Sequence, residues 1–458
     1  MSERAGRRSP LHPDVLRLAR GFALSALASL GAAACLSSTD RAPQEGSVNH
    51  AAVSLGGLPA LNIDVNDTST SGLSAGAFMA VQFHVAYSSM MTGVGVFAGG
   101  PFDCTEGSLT TALTTCMTAL PSAPDPSRAV TATTNFANAG AIDPTSNLAG
   151  QHVFLFGGAD DTTVAPAVMD ALESYYGTWT TSGTVTYEKR HPSTGHTMPT
   201  VDYGGDCDTT GDPWIGKCNY DGAGIALGEI YGTLQPKAST PGGQYVSIEQ
   251  GAFVSDPASH SLADTGYAYI PASCANGERC RVHVAFHGCK QYATGSVGDK
   301  YYKHAGYNEW ADTNHIVVLY PQTIATTGSN PNGCFDWWGY DSADYAKQSG
   351  PQMMMVRRMI DALAGGGGDA GAPDSGGAPD AGQDTGTGQD SGATDAGTGS
   401  ETCILANNYD HVAAGRAHVS FGYALADGSD QNMGLYSIAI VTSLRQTGPD
   451  QYVIGTCP

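Results

Sequence analysis

One stretch of the chain carries the residue types of a nucleophilic site: Gly72-Leu73-Ser74-Ala75-Gly76, the only Gly-x-Ser-x-Gly in the sequence. A serine hydroxyl is a weak nucleophile unless a base takes its proton and a carboxylate orients that base. Small residues around Ser74 are what a sharp strand-to-helix turn needs, since a Cβ there would collide where strand and helix approach. With 60 Gly in 458 residues the pattern says little alone, and the plain alternative is a glycine-rich turn holding an incidental serine. Its flanks favour the turn: LNIDV alternates before it as a strand does, and Phe78, Val81 and Val85 recur at helical spacing after it.

The acid and the base are sought downstream. HVFLFGGADDTTV reads as a strand ending in a polar turn, from which Asp161 could reach a histidine, with Asp160 as the adjacent rival. TVTYEKRHPSTGHTMPT is a strand breaking into a loop that bears His191 and His196. His196, between Gly195 and Thr197, is the better placed because its loop can fold over the strand ends. The order Ser, Asp, His is that of the α/β-hydrolases. Acyl transfer also needs N–H donors for a tetrahedral oxyanion. Ala75 supplies one; the second normally comes from a loop ahead of the nucleophile, and nothing before Ser74 qualifies. VHVAFHGCKQ does qualify, as a strand ending in the tight turn His287-Gly288-Cys289, but it follows His196. A circular permutation resolves the order, and near-neighbour termini make such rearrangements structurally cheap. The plain reading of His287 is a buried, hydrogen-bonded histidine that holds the turn.

These residues need elements to hold them. GVGVFAGG, HVFLFGGAD, TVTYEKRH, RVHVAFHG and HIVVLYPQ read as strands; AFMAVQFHVAYS, PAVMDALESYYG and MMMVRRMIDALAG read as helices. Continuous rather than alternating apolar runs imply strands covered on both faces, an α/β fold with a mostly parallel sheet. After Leu363 the composition changes. Residues 364–400 contain only Gly, Asp, Ala, Ser, Thr, Pro and Gln, which cannot bury enough surface to order and predict a flexible linker. Calcium repeats are excluded there by irregular Asp spacing and by the missing apolar positions of a β-roll. A catalytic domain over 50–363 is therefore followed by a β-rich module over 401–458, small enough to need a staple, with Cys403 and Cys457 near its ends.

Acidic residues outnumber basic ones 43 to 21, a formal charge of −22, which works against a nucleic-acid partner. Residues 1–35 carry arginines, then the uncharged run Gly21 to Ala34, then Cys35: a basic leader and an apolar segment too short to span a bilayer, as in a secretory signal. Cys35 is where a lipoprotein would be acylated to give a membrane tether, although Ala32 replaces the usual leucine; plain secretion is the main expectation. The remaining ten cysteines, Cys104, Cys116, Cys207, Cys218, Cys274, Cys280, Cys289, Cys334, Cys403 and Cys457, read in an exported chain as a disulfide framework, neighbours pairing in order. No Cys-x-x-Cys occurs, so a structural zinc is not expected, and the chemistry requires neither metal nor organic cofactor.

GLSAG, a strand-end D-x-x-V, GHTMPT, HGCKQ, NEWAD, VVLYPQT and NGCFDWWGY together resemble the extracellular poly(3-hydroxybutyrate) depolymerases, in the subtype whose lipase box precedes a late oxyanion motif. The resemblance spans most of 60–363 and implies Ser74 as nucleophile, Asp161 and His196 as its partners, the amides of Ala75 and Cys289 as the oxyanion hole, and a Cys289–Cys334 disulfide. It also implies a solid or amorphous polyester as substrate, with the C-terminal module as a polymer binder. Ala77 departs from the family, where a further Gly is common. A solid polymer calls for a shallow crevice with aromatic walls, and Phe335, Trp337, Trp338 and Tyr340 are the densest aromatic cluster, with core packing as their plain reading. The expectation is a secreted, monomeric serine esterase. A feruloyl or acetyl carbohydrate esterase and a non-catalytic polymer-binding adhesin are the alternatives.

Overall fold

A computed structural model describes residues 54–366 and, towards the C-terminus, 403–420, 423–429, 431–435, 441–448 and 451–455. The leader read over 1–35, nearly all of the linker read over 364–400, and Cys457 lie outside the described residues.

Eight strands form the central sheet: β1 (Ile63–Leu73), β2 (Met91–Phe97), β3 (His152–Gly158), β4 (Val185–His191), β5 (Gln244–Glu249), β6 (Thr265–Ile270), β7 (Cys280–Phe286) and β8 (Ile316–Tyr320). Their spatial order is β4-β3-β2-β1-β7-β8-β6-β5. The first six are parallel, while β6 and β5 close one side antiparallel. The fold is that of an α/β-hydrolase.

The continuous apolar runs have a physical cause: successive residues of one strand feed different cores. Val153, Leu155, Val282, Val284 and Phe286 join one buried cluster, whereas Phe154, Phe156 and Ala285 join the other. Helices α1 (Ala75–Ala86), α2 (Pro126–Asn138), α3 (Pro166–Trp179) and α5 (Pro351–Leu363) contribute to the first layer, and α4 (Gly222–Tyr231) to the second. Every strand residue in the middle of the sheet is thus covered on its own side, and none needs to be polar.

β1 is the exception. Its run Thr68–Ser71 is polar yet fully buried. In-register pairing sets His283 of β7 beside Ser69, and the imidazole bonds Ser69 Oγ through Nδ1 at 2.6 Å and Ser71 Oγ through Nε2 at 2.7 Å. Ser71 Oγ also bonds the Tyr307 hydroxyl at 2.6 Å. Burial lowers the His283 pKa to about 3, so it stays neutral, one nitrogen donating and the other accepting. The pairing of β1 with β7 is thereby keyed by side chains as well as by the backbone.

Four disulfides join cysteines adjacent in sequence, as expected: Cys104–Cys116, Cys207–Cys218, Cys274–Cys280 and Cys289–Cys334. Cys403 is also disulfide-bonded. Among its described residues, the C-terminal segment holds two three-stranded antiparallel sheets and a short helix, Asn408–Ala413, that the strand-only reading omitted.

Candidate active site

β1 delivers Leu73 to the C-terminal edge of the sheet and α1 begins at Ala75, so Ser74 must make the whole turn. It does so at φ 57°, ψ −125°, in the positive-φ region that a side chain disfavours. The conformation is held on both sides: the Ser74 amide donates to the Phe97 carbonyl at 3.0 Å, and the Ser74 carbonyl accepts from the amides of Ala77 and Phe78 at 2.8 and 3.0 Å. A Cβ at position 76 would overlap the carbonyl oxygens of Phe286 and His287, which end β7. Gly76 therefore lets the start of α1 press against the turn 287–289. The Ala77 methyl packs in the core.

That turn is rigid. His287 is wholly buried; its Nδ1–H donates to the Gly288 carbonyl at 2.8 Å and its Nε2 accepts from the Thr323 amide at 3.3 Å. Burial lowers its pKa to about 4, which keeps it neutral and in that tautomer. The plain reading of His287 is the one the geometry supports. A Cβ at position 288 would stand 3.4 Å from Ser74 Cβ, so the turn flanks the serine directly. As the first residue of α1, Ala75 has no intrahelical acceptor for its amide, and among the described residues neither the Ala75 nor the Cys289 N–H donates to a protein acceptor. The Cys289–Cys334 bond ties the turn to the loop that follows β8.

Across the cleft, Asp161 and His196 form a buried pair, Asp161 Oδ2 accepting from His196 Nδ1 at 2.8 Å. The other carboxylate oxygen accepts the amides of Thr163 and Val164 at 2.8 and 2.9 Å, which fixes the acid before it meets the ring. The rivals are elsewhere: Asp160 is exposed, and His191 bonds Thr194 Oγ1 at 2.7 Å while packing on Phe156 and Tyr220. The His196 amide donates to Thr210 Oγ1 at 2.9 Å, and Gly195 donates to the Cys207 carbonyl at 2.9 Å. The Cys207–Cys218 loop thus cradles the histidine, a support with no motif to betray it.

Ser74, His196, Gly288 and Cys289 all line one cavity of about 740 Å³. Ser74 Oγ makes no hydrogen bond to His196 among the described residues; nucleophile and base are commonly apart before substrate tightens them. The wall beside Ser74 is apolar, formed by Phe78, Val164, Trp337 and Trp338, with Leu109 and Leu113 half-exposed at the rim. Trp337 stacks on Phe78 at 4.2 Å between centroids, and Trp338 packs at 85° to it. Tyr340, expected with them at the substrate, stands behind Trp338 instead: its hydroxyl donates to the Cys334 carbonyl at 2.8 Å and the residue does not line the cavity. Phe335 is core. The organiser of this loop is Asp336, whose carboxylate accepts the amides of Gly339, Tyr340, Asp341 and Ser342 at 2.7 to 3.1 Å. Burial pushes its pKa up to about 7 against those four donors, which favour the anion. Among the described residues no group of three or more His, Cys, Asp or Glu gathers as a metal site would.

No family model matches the chain. A poly(3-hydroxybutyrate) depolymerase of Delftia acidovorans is 40% identical over 89% of this chain and 95% of that protein, and a polyhydroxybutyrate depolymerase of Talaromyces funiculosus is 38% identical over 68% and 93%. The chain belongs to the poly(3-hydroxybutyrate) depolymerase family. A third member, from Ralstonia pickettii, shares 57 residues at 49% identity, 12% of each chain. Two solved depolymerase structures align at TM-scores of 0.63 and 0.62 with 35% and 36% identity, each over 68% of this chain and 99% of its own. One is the enzyme from Penicillium funiculosum; the other is a serine-to-alanine variant complexed with an R3HB trimer. This depolymerase-family chain is a serine hydrolase.

Proposed function

We propose that the protein hydrolyses poly(3-hydroxybutyrate), or a related short-chain polyhydroxyalkanoate, to hydroxyacid monomers and oligomers through an acyl-enzyme on Ser74. The observation that supports this reading is that Ser74, His196 and Cys289 line one apolar cleft, with Asp161 bonded to His196 behind it and the Ala75 and Cys289 amides unengaged among the described residues. In it, Ser74 Oγ attacks the ester carbonyl as His196 Nε2 takes its proton, and Asp161 steadies the imidazolium. The developing oxyanion accepts hydrogen bonds from the Ala75 and Cys289 amides, both fixed before substrate arrives. His196 then protonates the departing alkoxide, and a water activated by the same ring releases the acid. Trp337 and Trp338 form the wall for the chain of ester units, and neither metal nor cofactor takes part in any step.

β7 lies next to β1 in space yet follows the Asp161–His196 segment in sequence, which supports a circularly permuted order for this fold. Disulfides and the basic, then apolar leader support export, by plain secretion or with a lipid tether at Cys35. The C-terminal module is read as a polymer attachment unit on a flexible linker, the whole acting as a monomer. The test compares hydrolysis of amorphous polyester, crystalline polyester and a feruloylated sugar by the purified protein. Polyester turnover is expected to dominate; preferential turnover of the sugar would overturn the substrate assignment.

A further inference from the structure

One buried side chain touches both walls of the cleft, and the acyl-transfer reading gives it no role. Gln291 is 1% exposed. Its Oε1 accepts the Gly288 amide at 2.7 Å, while its Nε2 donates to the carbonyls of Pro213 and Trp214 at 2.9 and 3.1 Å. Gly288 belongs to the oxyanion turn. Pro213 and Trp214 lie just beyond Thr210, which holds the His196 backbone. The amide group therefore spans from the donor side of the site to the histidine side, using both of its polar ends.

The turn does not need Gln291 to close, because the Gln291 backbone amide already donates to the Gly288 carbonyl at 3.1 Å. What the side chain adds is a choice between consecutive N–H groups. By engaging the Gly288 amide it leaves the Cys289 amide as the one free to meet an oxyanion, and by holding 213–214 it sets the width of the gap opposite. We infer that Gln291 is a positioning residue for the reaction, a cross-brace that fixes the oxyanion turn relative to the segment supporting His196. A donor displaced by even a fraction of an ångström costs transition-state binding far more than ground-state binding, since the oxyanion exists only in the former.

The inference rests on the ester-hydrolase reading, and the experiment separates the two. Steady-state hydrolysis of a soluble 3-hydroxybutyrate trimer is measured for the unaltered full chain, Gln291→Met and Gln291→Glu, with thermal melting of each. Gln291→Met, similar in volume but without either polar end, should lose about 10- to 100-fold in kcat with KM within about twofold, a little less than loss of one oxyanion donor. Gln291→Glu keeps the acceptor but aims a carboxylate oxygen at two carbonyls; protonation restores a donor. Its kcat relative to the unaltered chain should therefore rise as pH falls, a trend that needs only the glutamate variant to be folded, so the test holds even if the methionine variant is unstable. An unaltered kcat in Gln291→Met, a loss confined to KM, or a pH-independent ratio for Gln291→Glu would overturn the inference. An inactive unaltered chain would instead sink the ester-hydrolase reading, and this inference with it.

Discussion

Ser74 is held at a positive φ by hydrogen bonds on both of its backbone groups, a strain of about 1–3 kcal/mol that the surrounding turn must overcome. Ser74→Ala keeps that backbone and removes only the hydroxyl proposed as nucleophile, so trimer hydrolysis should fall by roughly 10⁶ with thermal stability little changed. A large loss of melting temperature alongside the activity would mean that the hydroxyl is structural. Asp161→Asn leaves the shape but no longer specifies which ring nitrogen of His196 carries the proton, and kcat should drop about 10⁴-fold in a steady-state assay. The sequence could nominate these three residues because each follows the end of a strand, and strand ends announce themselves through apolar runs that stop at Gly, Asp or a loop. The side chains that brace them, Thr210, Gln291 and Asp336, were not. Each bonds to backbone that is close in space and arbitrary in sequence: Thr210 reaches His196 and Gln291 reaches Pro213. Tyr340 failed for the opposite reason, since aromatic density next to Cys334 does not say which rings face the cleft.

Among the elements, those with strong apolar patterns were readable and those that depend on partners were not. Helix α2, PSRAVTATTNFAN, is rich in threonine and low in apolar residues, and it holds by a Pro at its start and an Asp125 cap. Helix α4 carries three glycines that argue against a helix, yet Asp221 caps it and its small residues fit closely on the sheet. Strand β5, at the sheet edge, and β6 beside it escaped because neither carries a continuous apolar run: QYVSIE is mostly exposed and TGYAYI opens on an exposed residue. The polar half of β1 is paired through its backbone on both sides, and His283 on β7 satisfies the buried Ser69 and Ser71 hydroxyls. Burying that ring has a pH consequence. Burial lowers the pKa values of His84, His283 and His287 to about 3, 3 and 4. Their folded values lie below the unfolded value near 6.5, so their contribution is complete above that pH and is lost as pH falls towards 4, the unfolded chain taking protons that the native one refuses. All three shifts act in the same direction, so acid destabilises the native fold at each of these buried rings. Denaturant midpoints measured from pH 7 to 4 should fall steeply below 6.5, and His283→Asn should flatten that slope.

For the whole molecule, the long-range staple is Cys289–Cys334, closing 45 residues where the other described bridges close 12 or fewer. By loop-closure entropy it contributes about 4 kcal/mol, so replacing both cysteines with serine should lower the melting temperature markedly and also cut kcat, because the bridge anchors the turn 287–289 proposed to bind the oxyanion. The two solved depolymerases align over 68% of this chain and 99% of their own. Removal of residues 364–458 is expected to spare trimer hydrolysis while weakening attachment to polymer granules in a pull-down. Activation of Ser74 by His196 can be read without any substrate, by labelling the intact chain with a fluorophosphonate and mapping the adduct by peptide mass spectrometry. One adduct is expected, on Ser74, formed rapidly and nearly abolished by His196→Ala; an adduct on another residue, or undiminished labelling without His196, would refute that activation.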